Sequence, residues 1–88
     1  MTERGQTRQQ IIDVIGGLAG LDQQGKEKLD ADGHLDRFTA VDSLLMVELV
    51  LQLEEQFGVR FDPEDIDAEL ISDIGRLTEF VDRARAAS

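Results

Sequence analysis

The sequence has no cysteine, a single proline, a single histidine and few basic residues. Each shortage closes a class of function. Without thiols the chain can form neither a disulfide nor a thiolate metal site. Its apolar runs are far shorter than the roughly 20 residues a membrane-spanning helix needs, so no membrane insertion is expected. The opening Met1-Thr2-Glu3-Arg4-Gly5-Gln6 is polar and lacks the apolar stretch of a signal peptide, so the cytoplasm is the expected compartment. Nine Lys and Arg stand against nineteen Asp and Glu, a net charge of −10. Nucleic acid would be repelled by that charge. The charge suits solubility, and equally the electrostatic steering of basic partners.

Chemistry in the chain itself is poorly supplied. A serine nucleophile needs a base and a group to orient that base. The only histidine, His34, lies in a stretch that reads as a solvated loop. There is no Gly-x-Ser-x-Gly elbow and no glycine-rich phosphate loop ahead of a helix. Asp30-Ala31-Asp32-Gly33-His34 begins like a calcium loop. It then places Leu35 where the sharp turn wants glycine and Val41 where the closing glutamate belongs. No metal site and no catalytic residue are therefore expected.

What is present is helical periodicity. At 88 residues one domain is the default, residues 1–88 with an ordered core of about 7–85. Thr7 and Gln10 fit a capping box, and Ile11, Val14, Ile15 and Leu18 recur at helical spacing, which predicts a first helix over 7–19. Residues 20–41 read as a long connection, pinned by Leu29, Leu35 and Phe38, with at most a turn of helix at Lys26-Glu27-Lys28-Leu29. Asp62-Pro63-Glu64-Asp65 is a helix start, with Asp62 as cap and Pro63 in the first position. This predicts a short third helix ending near Asp67 or Ala68, with Ile66 inward. Ser72 or Asp73 opens a last helix with Ile74, Leu77, Val81 and Ala84 as its core stripe. Ala86-Ala87-Ser88 reads as tail. No stretch carries a strand signal. The fold expected is all-α, a four-helix bundle with a long first loop and a short third helix.

The organising stretch is 41–58. It reads as one long helix that Asp42 or Ser43 can cap and Gly58 can stop. Met46, Leu49, Val50, Leu53 and Phe57 share one face, a core stripe. Leu44, Val47 and Leu51 gather on roughly the opposite side, with Glu48, Glu54 and Glu55 around them. Either a neighbouring loop covers that second face, or it is an apolar patch with an acidic rim offered to another protein. Ser43 sits at the foot of the patch, at the positive end of the helix, where a phosphate is favoured. Taken by position alone, it is equally a plain N-cap.

Asp42-Ser43-Leu44, followed in order by Val47-Glu48-Leu49-Val50, Leu53-Glu54-Glu55 and Phe57-Gly58, resembles the acyl carrier protein family and its peptidyl carrier relatives. The resemblance runs from about Leu35 to Val81. It implies the four-helix carrier fold with its long first loop. It also implies that Ser43 carries a covalent 4'-phosphopantetheine arm, with Asp42 and Leu44 flanking the attachment. A phosphopantetheinyl transferase would move the arm from coenzyme A. Its thiol would hold acyl intermediates as thioesters for fatty-acid, polyketide or related biosynthesis, which lets a chain without cysteine serve thiol chemistry. The implied partners are that transferase, an acyl- or aminoacyl-loading ligase or acyltransferase, and downstream synthases or transferases with basic patches. They would meet a monomer at Leu44, Val47, Glu48, Leu51, Glu54, Glu55, Asp65 and Ile66. The gap beside Ile66, between the second and third helices, would shelter an aliphatic cargo.

The chain also departs from the family pattern. Ala40 stands where glycine is common, Arg37-Phe38-Thr39 replaces the usual approach to the serine, and Leu45 occupies a position that is often acidic in fatty-acid carriers. Three alternatives therefore stay open beside fatty-acid synthesis. They are a carrier for polyketide or nonribosomal peptide assembly, an aminoacyl carrier resembling the D-alanyl carrier, and a non-modified helical module that uses only its acidic patch.

Overall fold

A computed structural model describes residues 3–87. The elements run α1 (Glu3–Ala19), α2 (Gln23–Asp32), a 3-10 turn (Leu35–Arg37), α3 (Ser43–Phe57), a second 3-10 turn (Pro63–Asp65), α4 (Ala68–Ser72) and α5 (Ile74–Ala87). The fold is all-α, as expected. The only extended pairing among the described residues is an isolated antiparallel bridge between His34 and Asp73.

The core is one cluster. Ile11, Ile12 and Ile15 of α1 meet Leu49 and Leu53 of α3, and Ile74, Leu77 and Val81 of α5; all are at most 1% exposed. Leu29 and Leu35 close the cluster from the first connection, and Val59, Phe61, Leu70 and Ile71 close it from the second. The i, i+3, i+4 spacing that marks each stripe in the sequence is thus the face each helix buries.

Three boundaries differ from the sequence-based expectation. Helix α1 starts at Glu3, so Thr7 is not its cap. Thr7 is fully buried, donates to Asp82 Oδ1 at 2.8 Å and accepts from Arg85 Nη1 at 3.0 Å. This ties the start of α1 to the end of α5, where the Arg85 guanidinium also lies 5.4 Å above the Phe57 ring. Glu3–Gln6 and Ala86–Ala87, outside the expected ordered core, belong to helices, while Met1, Thr2 and Ser88 lie outside the described residues.

The long first connection holds a ten-residue helix, α2, rather than a turn. Ten residues are too few for a stable isolated helix, so its ends and one face must be held. Asp22 Oδ1 accepts the Gly25 N–H at 2.8 Å. Gly33, at φ 79°, returns its N–H to the Leu29 carbonyl at 2.7 Å. Leu29 is buried, and Arg8 of α1 pairs with Asp30 at 2.7 Å. Asp32 faces Arg37 at 3.2 Å. The carboxylates that began like a calcium loop are therefore committed to arginines.

The third helix splits in two. Asp62 does cap the turn at Pro63, accepting from Glu64 N–H at 3.0 Å, but the turn closes at Asp65. A separate α4 then starts with Asp67 accepting the Leu70 N–H at 2.8 Å. The chain bends at Asp73, where Ile74 N–H reaches the Gly33 carbonyl at 2.9 Å, and α5 follows. These adjustments place a helix inside the first loop and a break inside the last segment without changing the fold class.

Leu53→Ala should cost about 2–5 kcal/mol of stability, because it leaves a cavity in the core. Leu51→Ala, two residues away but on the exposed side, should stay within about 0.5 kcal/mol of the parent. Urea unfolding followed by far-UV circular dichroism separates the two.

Candidate functional site

Two things fix the start of α3. Asp42 stands outside the helix with extended backbone. Its Oδ1 accepts the Leu45 N–H at 2.9 Å, while its carbonyl accepts Met46 N–H at 3.0 Å. The cap is therefore Asp42, and Ser43 is left as the first helical residue. Ser43 is exposed, and its hydroxyl makes no hydrogen bond among the described residues. The N–H groups of Ser43 and Leu44 likewise have no partner there. An outward hydroxyl beside two unpaired amides at a helix N-terminus suits a phosphate ester.

Above Ser43 the second face of α3 is open. Leu44, Val47 and Leu51 are 67%, 55% and 59% exposed. No loop covers them, so of the two readings of this face the exposed patch is the one observed. Glu48 and Glu55 are exposed beside it. Glu54 differs from them: it is half-buried, and its Oε2 accepts the Phe61 N–H at 2.8 Å. Glu54 thus anchors the segment after α3 as well as bordering the patch.

Ser43 also stands at the mouth of a groove of about 340 Å³ between α3 and the 61–66 segment. Met46, Val50, Phe61, Pro63 and Ile66 supply most of its wall. Met46 and Val50 read as core from their spacing, yet they are half-buried and line this groove. They lie at the edge of the core stripe nearest Val47, and that angular position is the sequence signal that could have found them. Asp65 does not join this site. It lines a different groove, towards α5.

Among the described residues no histidine stands beside the serine, and the neighbouring Asp42 carboxylate is engaged as the helix cap. His34 lies in a separate cleft with Glu69, Asp73 and Arg76, pinned by its backbone bridge to Asp73. Among the described residues there is no group of His, Cys, Asp and Glu that could hold a metal ion, and no helix is long and apolar enough to cross a membrane.

A helical bundle that presents an unpartnered serine at a helix start, beside an apolar groove, has the form of a carrier domain. The comparisons agree. The family model described as "Phosphopantetheine attachment site" matches residues 9–81. The acyl carrier protein of Cyanidium caldarium is 35% identical over 77 residues, covering 85% of this chain and 86% of its own. That of Syntrophobacter fumaroxidans is 34% identical over 77 residues, covering 88% and 89%. That of Thermotoga maritima is 28% identical over 83 residues, covering 94% and 96%. No solved structure matches at a significant level. The chain belongs to the acyl carrier protein family, and its cofactor is phosphopantetheine.

Asp42→Ala should destabilise the protein by about 1 kcal/mol through loss of the N-cap, while Asp42→Asn should keep most of that stability. Thermal melts of the two variants check this.

Proposed function

We propose that Ser43 is the attachment residue and that the protein is a non-catalytic acyl carrier handing its cargo between biosynthetic enzymes. The observation that carries the reading is the Ser43 hydroxyl, exposed at the first position of α3 and free of any internal hydrogen bond among the described residues. When bound, the arm supplies the thiol that holds the cargo as a thioester. The chain's own part is positional. Asp42 holds the helix start through its cap, and the Ser43 and Leu44 amides would be the donors available to a phosphate on Ser43. With no histidine at Ser43 and the Asp42 carboxylate committed to the helix cap, the activation of the Ser43 hydroxyl falls to a phosphopantetheinyl transferase.

The groove lined mostly by Met46, Val50, Phe61 and Ile66 favours an aliphatic cargo over an amino acid, because a charged amine would lose hydration there with one carboxylate in reach, Glu54, already engaged by the Phe61 N–H. The apolar lining supports a reading of fatty-acid or polyketide assembly over aminoacyl or peptidyl carriage. The transferase, the loading ligase or acyltransferase and the downstream synthases dock on Leu44, Val47 and Leu51. Basic residues on those partners meet Glu48 and Glu55, with Glu54 and Ile66 at the border. Charge at the rim raises encounter rate and specificity more than affinity, which suits a monomeric cytoplasmic shuttle that must leave each partner.

Incubation with coenzyme A, magnesium and a broad-specificity phosphopantetheinyl transferase should add the mass of one phosphopantetheine, and Ser43→Ala should add none. An unchanged mass in the folded parent would overturn the reading in favour of a non-modified interaction module. The double charge reversal Glu48→Lys and Glu55→Lys should leave the fold intact. It should lower kcat/KM for the transferase by about tenfold at low salt, a deficit that narrows as salt rises.

A further inference from the structure

The groove at Ser43 has a closed end. It runs along α3 from Ser43 past Met46 and Val50 to Glu54, with Pro63 and Ile66 on its other side. Phe61 stands at the Glu54 end, where its ring lines the groove and is only 8% exposed. Behind that ring lies Phe80 of α5, with ring centroids 5.1 Å apart. Phe80 lines the neighbouring groove towards α5, and Phe61 does not. The Phe61 ring is therefore the partition between the two spaces. From this arrangement we infer that Phe61 sets the length of the cargo, and that the groove takes a straight acyl chain of medium length. The inference rests on attachment at Ser43 and adds the size of the cargo to it.

The partition is held from two sides. Glu54 Oε2 accepts the Phe61 N–H at 2.8 Å, which ties its backbone to α3. The ring packs on Phe80 with planes tilted by 54°, a favourable arrangement of aromatic rings. With the backbone anchored, the ring can leave the end of the groove only by giving up that packing. Close-packed side chains do not deform freely, so the end of the groove is a steric limit. The side walls are softer. Met46 is unbranched and adapts its shape, while Val50 and Ile66 are half-buried at the rim. Width thus adjusts to the chain, and length does not.

Volume gives the size of the occupant. The groove's 340 Å³ or so holds about ten methylene-sized groups at roughly 30 Å³ each. Apart from Ser43 and Glu54 its lining side chains are apolar, and Glu54 is engaged by the Phe61 N–H. An alkyl chain gains there at each methylene that leaves water. The amides of the arm would lose hydration in the same place, so the chain is the occupant and the arm is not. Carbons beyond the limit meet Phe61, stay in water and gain nothing.

The test loads the whole protein through a broad-specificity phosphopantetheinyl transferase from a series of acyl-coenzyme A thioesters, butanoyl to hexadecanoyl. Intact mass confirms one acyl-phosphopantetheine per chain, and urea unfolding measures the stability of each product. In the parent, the unfolding constant should fall by up to about fourfold per added methylene and level off near decanoyl. Phe61→Val, which keeps an apolar side chain in the core, should move the levelling point to dodecanoyl, and Phe61→Ala should move it further. Val50→Phe, which fills the groove from α3, should bring it below octanoyl. Leu53→Ala is buried outside the groove; it should lower stability at every length and leave the levelling point unmoved. Stability that is flat across the series overturns the inference while attachment stands. So does a levelling point that stays at decanoyl in Phe61→Val, or one that Leu53→Ala shifts as far. A protein that takes up no acyl-phosphopantetheine overturns both readings.

Discussion

The burial of Leu49 and Leu53 sets the rotation of α3 about its own axis, and the site depends on that rotation. Each fully buried leucine stabilises by about 1.5–3 kcal/mol, whereas the Asp42 cap contributes about 1 kcal/mol. Packing therefore decides which way the helix faces, and the cap decides only where it begins. With both leucines inward against Ile11, Ile15 and Leu77, Leu44, Val47 and Leu51 must point out. A rotation that buried those three would expose the other two, and the cluster has no room for both sets. The outward placement of the patch is the complement of the core stripe, and all three of its side chains are left more than half exposed.

The second constraint is the segment that follows α3. Gly58 at φ 66° turns the chain, and its N–H returns to the Glu54 carbonyl. The Glu54 side chain then holds the Phe61 N–H. One residue thus stops the helix with its backbone and aims the next segment with its carboxylate. Phe61 packs on Phe80 of α5, with ring centroids 5.1 Å apart and planes tilted by 54°, a favourable edge-on arrangement. The segment is held at Phe61 from both α3 and α5, so it stands as a wall between the Ser43 groove and the groove towards α5.

Much of this was legible because it is local. The spacing of Leu49, Leu53 and their neighbours shows in the sequence, as do Gly58 and the Asp62-Pro63 start. What escaped was non-local or weakly patterned. Thr7 matches a capping box, but its hydroxyl finds Asp82, 75 residues away, and no local rule reaches that far. Helix α2 has Leu29 as its one fully buried residue, so it shows no apolar period and is held by caps and by Arg8. Helix α4 is five residues long, too short for a stripe. Met46 and Val50 belong to the core stripe by angle and to the groove by fact, because the position of residues 61–66 decides between the two. The place of Ser43 at the start of α3 was legible in the sequence, while the openness of its hydroxyl needed the cap to be assigned to Asp42.

A shuttle has to be recognised by unlike enzymes and released by each. An apolar patch alone would bind too indiscriminately, since burial of apolar area carries no orientation. An acidic rim alone would be screened within about 8 Å at physiological salt. On α3 the two are interleaved at single-residue spacing, with Glu48 between Val47 and the next exposed apolar position, Leu51. A partner must therefore match charge and shape together before it gains either.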